Sequence, residues 1–321
     1  MVKVVWNGSV EAFTHDGEPP ERASPGAEGR AAMLLIVGEA IVVYQRDIGP
    51  DPDAAYTGPW PSGAPAIAAY VAGRLGVPTA FVGGVGQDAH AKVMRDGLAA
   101  GGVDTGQLVE VAGAPTATAH ITYRGEDHRD FDFAVAGTAA TQVTEADLGD
   151  LPERATWLHM SGSALIFGEP LAATTLAALR RAHRAGARIS IDPNVRPESM
   201  SPAAVRALLA ALPLAHVLLP TEGELEALGA DVDALLAGGA TICTTRGPAG
   251  AVVRDTEGET RIEALPVRAI DTDGAGDSFA GGFVAASLAG ADPRAAARAG
   301  VAVAAQAVQV TGPMTVVPTV P

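Results

Sequence analysis

The residues best suited to chemistry stand together at 270–283, where Ile-Asp-Thr-Asp-Gly-Ala-Gly-Asp-Ser-Phe-Ala-Gly-Gly-Phe sets three acids and two close glycines against an apolar repeat. Residues 264–270 read as a short strand, and Phe279, Phe283 and Ala286 recur at helical spacing until Gly290 ends the helix. A turn of Gly274, Ala275 and Gly276 between strand and helix exposes three backbone N–H groups beside the positive end of the helix dipole, and such a turn can close around an anion. Asp277 falls in the first helical turn, where a carboxylate beside the anion can take the proton of an attacking hydroxyl.

Simpler readings compete. A calcium loop needs oxygen ligands at alternating positions and a closing Glu, but Ala275 and Gly282 stand where ligands are required. A dinucleotide fingerprint needs a glycine at the position of Phe279. What remains, on physical grounds alone, is either an anion hole or a glycine-rich turn capped by Asp277. The stretch Asp-Thr-Asp-Gly-Ala-Gly-Asp-Ser-Phe at 271–279 resembles the C-terminal signature of the ribokinase-like (PfkB-type) carbohydrate kinases. The resemblance implies that Gly274, Ala275 and Gly276 stabilise the transferring phosphoryl group and that Asp277 is the catalytic base.

Such residues need elements to hold them, and the chain of 321 residues has material enough for a substantial core, with 48% hydrophobic residues. A net charge of −15 argues against nucleic acid or an acidic membrane surface as partner. Lysine occurs only at Lys3 and Lys92 and no P-loop motif is present, so phosphate must be met by arginine, backbone amides and Mg²⁺. The single Cys243 and the lack of a secretory pattern point to a cytoplasmic protein. Residues 1–32 are rich in chain breakers, have no apolar period, and are expected to be disordered; the kinase domain is expected over 33–321.

Leu34 to Val37 reads as a buried parallel strand ending in Gly38-Glu39. A loop-rich stretch follows at 45–61, then a glycine turn at Ser62-Gly63 opens an alanine-rich helix that includes Ile67. Residues 116–135 alternate as a hairpin, with Ala119, Ile121 and Tyr123 on one face, a turn at 124–127, Phe131 and Phe133 returning, and Asp130 and Asp132 toward water. From residue 151 strand and helix patterns alternate: strands at 157–161, 188–192, 217–219 and 241–244, helices at 170–185 and after Pro202. That order implies a mostly parallel sheet with helices on both faces and a ligand site at the carboxyl ends of the strands.

The remaining roles come from the resemblance, which is nearest to the fructokinase and ketodeoxygluconate kinase branch. It implies a small β-lid from segments near 43–60 and 115–137, usable for closing over a sugar and for pairing two copies as a homodimer. Asp-Pro-Asn-Val-Arg at 192–196 resembles a segment whose Asn194 and Arg196 approach phosphates and substrate. Thr221 and Glu224 match, with Thr in place of Asn, a motif that organises Mg²⁺ indirectly; Thr245, Gly247 and Gly250 resemble the turn beneath the nucleotide, and a helix at 295–310 would pack beside the adenine. ATP, Mg²⁺ and, in some relatives, a monovalent cation are the implied cofactors. The expected reaction is transfer of the γ-phosphoryl group to a primary hydroxyl of a small sugar, the alternatives being a nucleoside acceptor or a regulatory homologue without activity.

On the substrate side Ser62, Gly63, Ile67, Val43, Arg196 and Asp277 take the expected binding positions, yet three of them depart from the family pattern. Val43 stands where an acid usually holds sugar hydroxyls, Ile67 replaces an Asn, and Ser62 replaces a glycine. Phe133-Ala134-Val135 offers no cation for a carboxylate, which disfavours an aldonic acid. Ser62, His120, Thr122 and Arg129 are the donors left to compensate.

Overall fold

The structure, a computed structural model, describes residues 31–47, 51, 53–124, 129–196 and 199–320. β1 (Leu34–Val37) buries all four of its side chains. Leu34 and Ile36 join one hydrophobic cluster and Leu35 and Val37 another, so the apolar run is a strand covered on both faces. Around it lies a nine-stranded sheet in the order β13 (Gly258–Ile262), β12 (Ala251–Asp255), β11 (Thr241–Thr245), β10 (Val217–Leu218), β9 (Arg188–Asp192), β8 (Trp157–Ser161), β1, β4 (Thr79–Val85), β5 (Leu108–Glu110). Pairing is parallel except at β11–β12 and β12–β13.

One face packs against α1 (Ala64–Arg74), α2 (Ala89–Ala100), α8 (Ala275–Leu288) and α9 (Pro293–Ala307). The other packs against α3 (Leu151–Arg154), α4 (Leu171–Arg184), α5 (Pro202–Ala211), α6 (Glu224–Leu228) and α7 (Val232–Ala237). Alpha and beta units thus alternate as the sequence implied.

A second sheet of four strands, β3 (Thr57–Ser62), β2 (Ile41–Asp47), β6 (Ala117–Tyr123) and β7 (Arg129–Ala134), projects beyond the carboxyl ends of the first. Its inner face has a core of its own built on Ile41, Val43, Ala117, Ala119 and Ile121. The hairpin register pairs Ala119 with Phe133 and Ile121 with Phe131, and Asp130 and Asp132 are exposed as expected.

Two readings need correction. Residues 264–270 form no strand: the chain leaves β13 at Ile262 and runs irregularly to α8, with Leu265, Val267 and Ile270 exposed. An apolar pattern makes a strand only where a ladder partner exists, and here the amides of Ile270 and Asp271 turn to the Val308 carbonyl after α9 instead. The stretch 45–61 is less loop-rich than it reads, since β2 continues to Asp47 and β3 starts at Thr57. The turn at 124–127, beyond Arg124, lies outside the described residues, as does the expectation for residues 1–30.

Met33 is where β1 is tied in: its N–H donates to Thr156 Oγ1 and its carbonyl accepts from the Thr156 and Trp157 amides. A chain starting at Met33 keeps those bonds. It should melt within about 2 °C of the full-length protein in a calorimetric scan, a margin that corresponds to about 1 kcal/mol for a domain of this size; a fall of several degrees would assign the first 32 residues a part in the fold.

Candidate active site

The strands of the large sheet deliver their polar residues at one edge. β1 runs into Gly38-Glu39, β8 into Ser161 and Ser163, β9 into Asp192, and β10 and β11 into Thr221 and Thr245. In a sheet whose two faces are covered by helices, ligands bind at the carboxyl ends of the strands.

The turn between residues 271 and 277 is held from several directions. Asp271 is buried and accepts from Tyr123 Oη at 2.7 Å, from the Asp273 amide at 2.9 Å and from the Gly312 amide at 2.9 Å. Gln45 Nε2 donates to Asp273 Oδ2 at 3.3 Å. Both lid strands β2 and β6 are thereby bonded to the turn. Gly274 is left-handed (φ 74°), which a residue with a Cβ adopts only at a cost, and its added Cβ would lie 2.9 Å from Ile67 Cδ1. α8 then begins, and the first-turn N–H groups of a helix have no i−4 carbonyls. Beside Gly276 the space is open, with no atom within 4 Å of where a Cβ would stand. Asp277 is in that turn.

Between this turn and the lid lies a cavity of about 50 Å³. Its polar lining comes from Glu39, Ser62, Ser163, Arg196, Asp273 and Asp277, its apolar lining chiefly from Val43, Ile67, Ile121 and three phenylalanines. Phe131 and Phe133 stack at 5.6 Å, Phe167 tilts against Phe133, and the Arg196 guanidinium sits 5.0 Å from the Phe131 ring centre and 5.9 Å from that of Phe133. Arg196, on the body, thus touches lid strand β7 through a cation–π contact. Gly63 has no alternative here: at φ 106°, a Cβ would come 2.5 Å from the Glu39 carbonyl oxygen.

Glu39 is 1% exposed. Its Oε1 accepts from Ser163 Oγ at 2.7 Å, while Oε2 is buried without a hydrogen-bond partner. Burial pushes the carboxyl up to about 7; the negative charge of Asp277 adds to the rise, and the Ser163 bond and Arg196 oppose it.

Beyond the cavity, the loop after β9 is fastened by two acids. The Asn194 amide donates to Asp192 Oδ1 at 2.9 Å, which holds Asn194 in a left-handed conformation (φ 44°) that Asn tolerates better than most. Glu224 accepts from the Val195 amide at 2.6 Å and from the Thr221 amide at 2.8 Å, joining the β9 loop to the start of α6 next to Arg196. Burial, then the charges of Glu224 and Asp277, raise Asp192 well above the usual carboxylate range, and burial raises Glu224 too. Acids crowded and desolvated in this way favour a cation among them. Among the described residues no three His, Cys, Asp or Glu are close enough to hold a metal by themselves. Mg²⁺ takes one or two carboxylates and completes its shell with water and substrate phosphates. Both Glu224 oxygens already accept a backbone amide, which suits contact with the ion through water.

All six expected substrate-side residues, Val43, Ser62, Gly63, Ile67, Arg196 and Asp277, line the one cavity. Asn194, Thr221, Thr245, Gly247 and Gly250 lie outside it, along the ends of β9 to β11. Thr221 Oγ1 and Thr245 Oγ1 are 3.2 Å apart, and left-handed Gly250 takes its φ of 82° where a Cβ would strike the Ile262 carbonyl oxygen. Of the compensating donors, only Ser62 faces the cavity. His120 stacks on Tyr44 and meets Tyr56 edge-on, and Thr122 accepts from Arg46 Nε, both on the other face of the lid; the Arg129 side chain lies outside the described residues. Glu39, Ser163, Asp192 and Asp273 were missed. Glu39 and Asp192 each close a buried apolar strand at its carboxyl end, and that position was the available signal.

An α/β body of this topology, with a four-stranded lid over a glycine turn and its acid, is the ribokinase-like fold. It superposes on a protein of E. coli assigned as ribokinase II and solved in complex with ATP and Mg²⁺ (TM-score 0.82, 30% identity, 88% of this chain and 95% of that one). It also superposes on the fructokinase of Vibrio cholerae O395 solved with fructose, ADP and a potassium ion (TM-score 0.78, 26% identity, 89% and 95%). A fructokinase of Salmonella typhimurium is 34% identical over 278 residues, 82% of this chain and 86% of its own. Residues 32–320 match the pfkB family of carbohydrate kinases, and the chain belongs to that family.

Proposed function

We propose that this protein is an ATP-dependent, Mg²⁺-requiring kinase that transfers the γ-phosphoryl group to a primary hydroxyl of a small sugar. The observation that carries the reading is that Asp277 lies in the first turn of α8, three residues after the left-handed Gly274, and lines the same cavity as Arg196 and the lid residues. An acceptor hydroxyl in that cavity meets a proton acceptor and an anion-binding turn together. Asp277 takes the hydroxyl proton as the new P–O bond forms and the bond between the γ-phosphorus and the ADP leaving group breaks. The amides of Gly274, Ala275 and Gly276 and the Arg196 guanidinium meet the charge on the transferring group, and the nucleotide lies along Asn194, Thr221, Thr245, Gly247 and Gly250. Mg²⁺ would be held near Glu224 and would supply charge neutralisation at the phosphates. The ATP and Mg²⁺ of the E. coli protein, and the fructose, ADP and potassium ion of the Vibrio enzyme, support these ligands, including a monovalent cation.

The curated relatives are sugar kinases, so a nucleoside acceptor is not carried forward. Among the described residues no helix is long and apolar enough to cross a membrane. A cytoplasmic location and a homodimer through the lid are parts of the same proposal.

The acceptor is less polar, or held by fewer side-chain hydrogen bonds, than fructose or ribose. Val43 is 2% exposed and Ile67 3%; both belong to packed clusters, Val43 to the core of the lid. Hydroxyls laid against them lose water without gaining a partner, at about 1–3 kcal/mol each. ADP release should therefore be measured on ketohexoses, pentoses and deoxysugars for wild type and for Val43→Asp with Ile67→Asn. Wild type should favour the deoxysugars, and the double variant should gain on the fully hydroxylated ones. Wild-type turnover of fructose or ribose at about 10⁴ M⁻¹s⁻¹ or more would contradict this; activity on no sugar would favour the regulatory alternative.

A further inference from the structure

Resting on the kinase reading, we infer that Glu39 is the residue that recognises an acceptor hydroxyl in this protein, and so sets which sugar is taken. The sequence removes the two polar groups expected on the sugar side at Val43 and Ile67, yet the cavity keeps one carboxyl whose second oxygen has no partner. A buried acceptor atom is almost always bonded in a native protein, and one left over in a cavity wall marks a place for a ligand's donor. Glu39 is also held in place for that duty. Ser163 Oγ fixes Oε1, Ser161 Oγ lies 2.9 Å from Ser163 Oγ, and the Gly63 turn packs on the Glu39 backbone.

The other charged groups lining the cavity are Arg196, Asp273 and Asp277. Asp273 accepts from Gln45, and Arg196 lies on the phenylalanine rings. With Asp277 assigned to the reacting hydroxyl, Glu39 is left to read a second one. The carboxyl is poised near neutrality by burial, so it can accept from a hydroxyl when ionised and donate to one when protonated. The substrate class that follows is a sugar with one hydroxyl directed at Glu39, a primary hydroxyl at Asp277, and a hydrocarbon face toward Val43, Ile67 and the phenylalanines.

The test pairs side-chain removal with hydroxyl removal. Wild type, Glu39→Met, which keeps the volume without the hydrogen bond, and Glu39→Gln, which keeps the shape without the ionisation, are assayed on a sugar that wild type uses and on its series of monodeoxy analogues. Glu39→Met should raise the acceptor KM at least tenfold with the ATP KM within twofold, and should lose discrimination against one monodeoxy analogue only. Glu39→Gln should remove the inflection near neutral pH from kcat/KM for the acceptor. A purely structural Glu39 would lower efficiency equally on every analogue, and that result, or no change at all, overturns the inference. If wild type phosphorylates no sugar the kinase reading has failed, and calorimetric titration of the same sugars then decides separately: tighter binding by wild type than by Glu39→Met supports Glu39 recognition, while equal or absent binding overturns it.

Discussion

Asp277→Asn should lower kcat by two to four orders of magnitude while leaving ATP binding and thermal stability in place. That is the range that removal of a general base produces. Asparagine has the shape of the aspartate, so the start of α8 and the open space beside Gly276 are preserved. The substitution also removes one negative charge from a crowded place: the charge of Asp277 raises both Asp192 and Glu39, so its loss lets those two carboxyls ionise more easily and does not strain the fold. Steady-state ADP release on the preferred sugar, with nucleotide-induced thermal shift as the binding control, checks this. Turnover within a few-fold of wild type would mean that another group takes the proton, or that none needs to.

Arg196→Met has the second largest expected effect, a fall in kcat of about 10²–10³, the magnitude seen when one donor to a developing charge is removed. Arg196 has two neighbourhoods, and the substitution separates them. Its stem and guanidinium lie over Phe131 and Phe133 of the lid, a contact worth about 0.5–1 kcal/mol that methionine largely replaces with its own packing. Its charge has no such replacement in methionine. Melting temperature should therefore hardly move while turnover collapses. Arg196→Lys should recover only part of the loss, because an ammonium keeps the charge but not the planar fork that matches a phosphoryl group. A drop confined to the acceptor KM, with kcat intact, would limit Arg196 to closing the lid.

Much of the large sheet was legible in the sequence because its strands are covered on both faces. Such strands are mostly apolar, and the readings at 157–161 and 188–192 coincide with β8 and β9, whose inner polar residues His159 and Ser190 bond each other. The start of the Gly-Ala-Gly turn was legible for a different reason: left-handed Gly274 favours a residue without a Cβ, so that piece of backbone geometry is written in the composition. Where the geometry depends on a neighbour, the sequence misled. Residues 264–270 alternate like a strand and have no ladder partner, and β2 and β3 pair across a stretch whose prolines and glycine suggest a loop.

The residues proposed for the catalytic side, Gly274 to Asp277 and Arg196, were named from local motifs that resemble those of the family. The acceptor side was decided by tertiary structure. Sequence identified Val43 and Ile67 as losses of polarity but could not say what stood opposite them, because Ser163 is 124 residues from Glu39 and meets it only when β8 lies beside β1. It offered His120 and Thr122 as donors, and the pleat of β6 turned both to the far face of the lid, where Tyr44 and Arg46 engage them. Residue types and local spacing fix what a backbone turn can do. Which side chains share a cavity depends on strand order and register, contacts distant in sequence that no local pattern encodes.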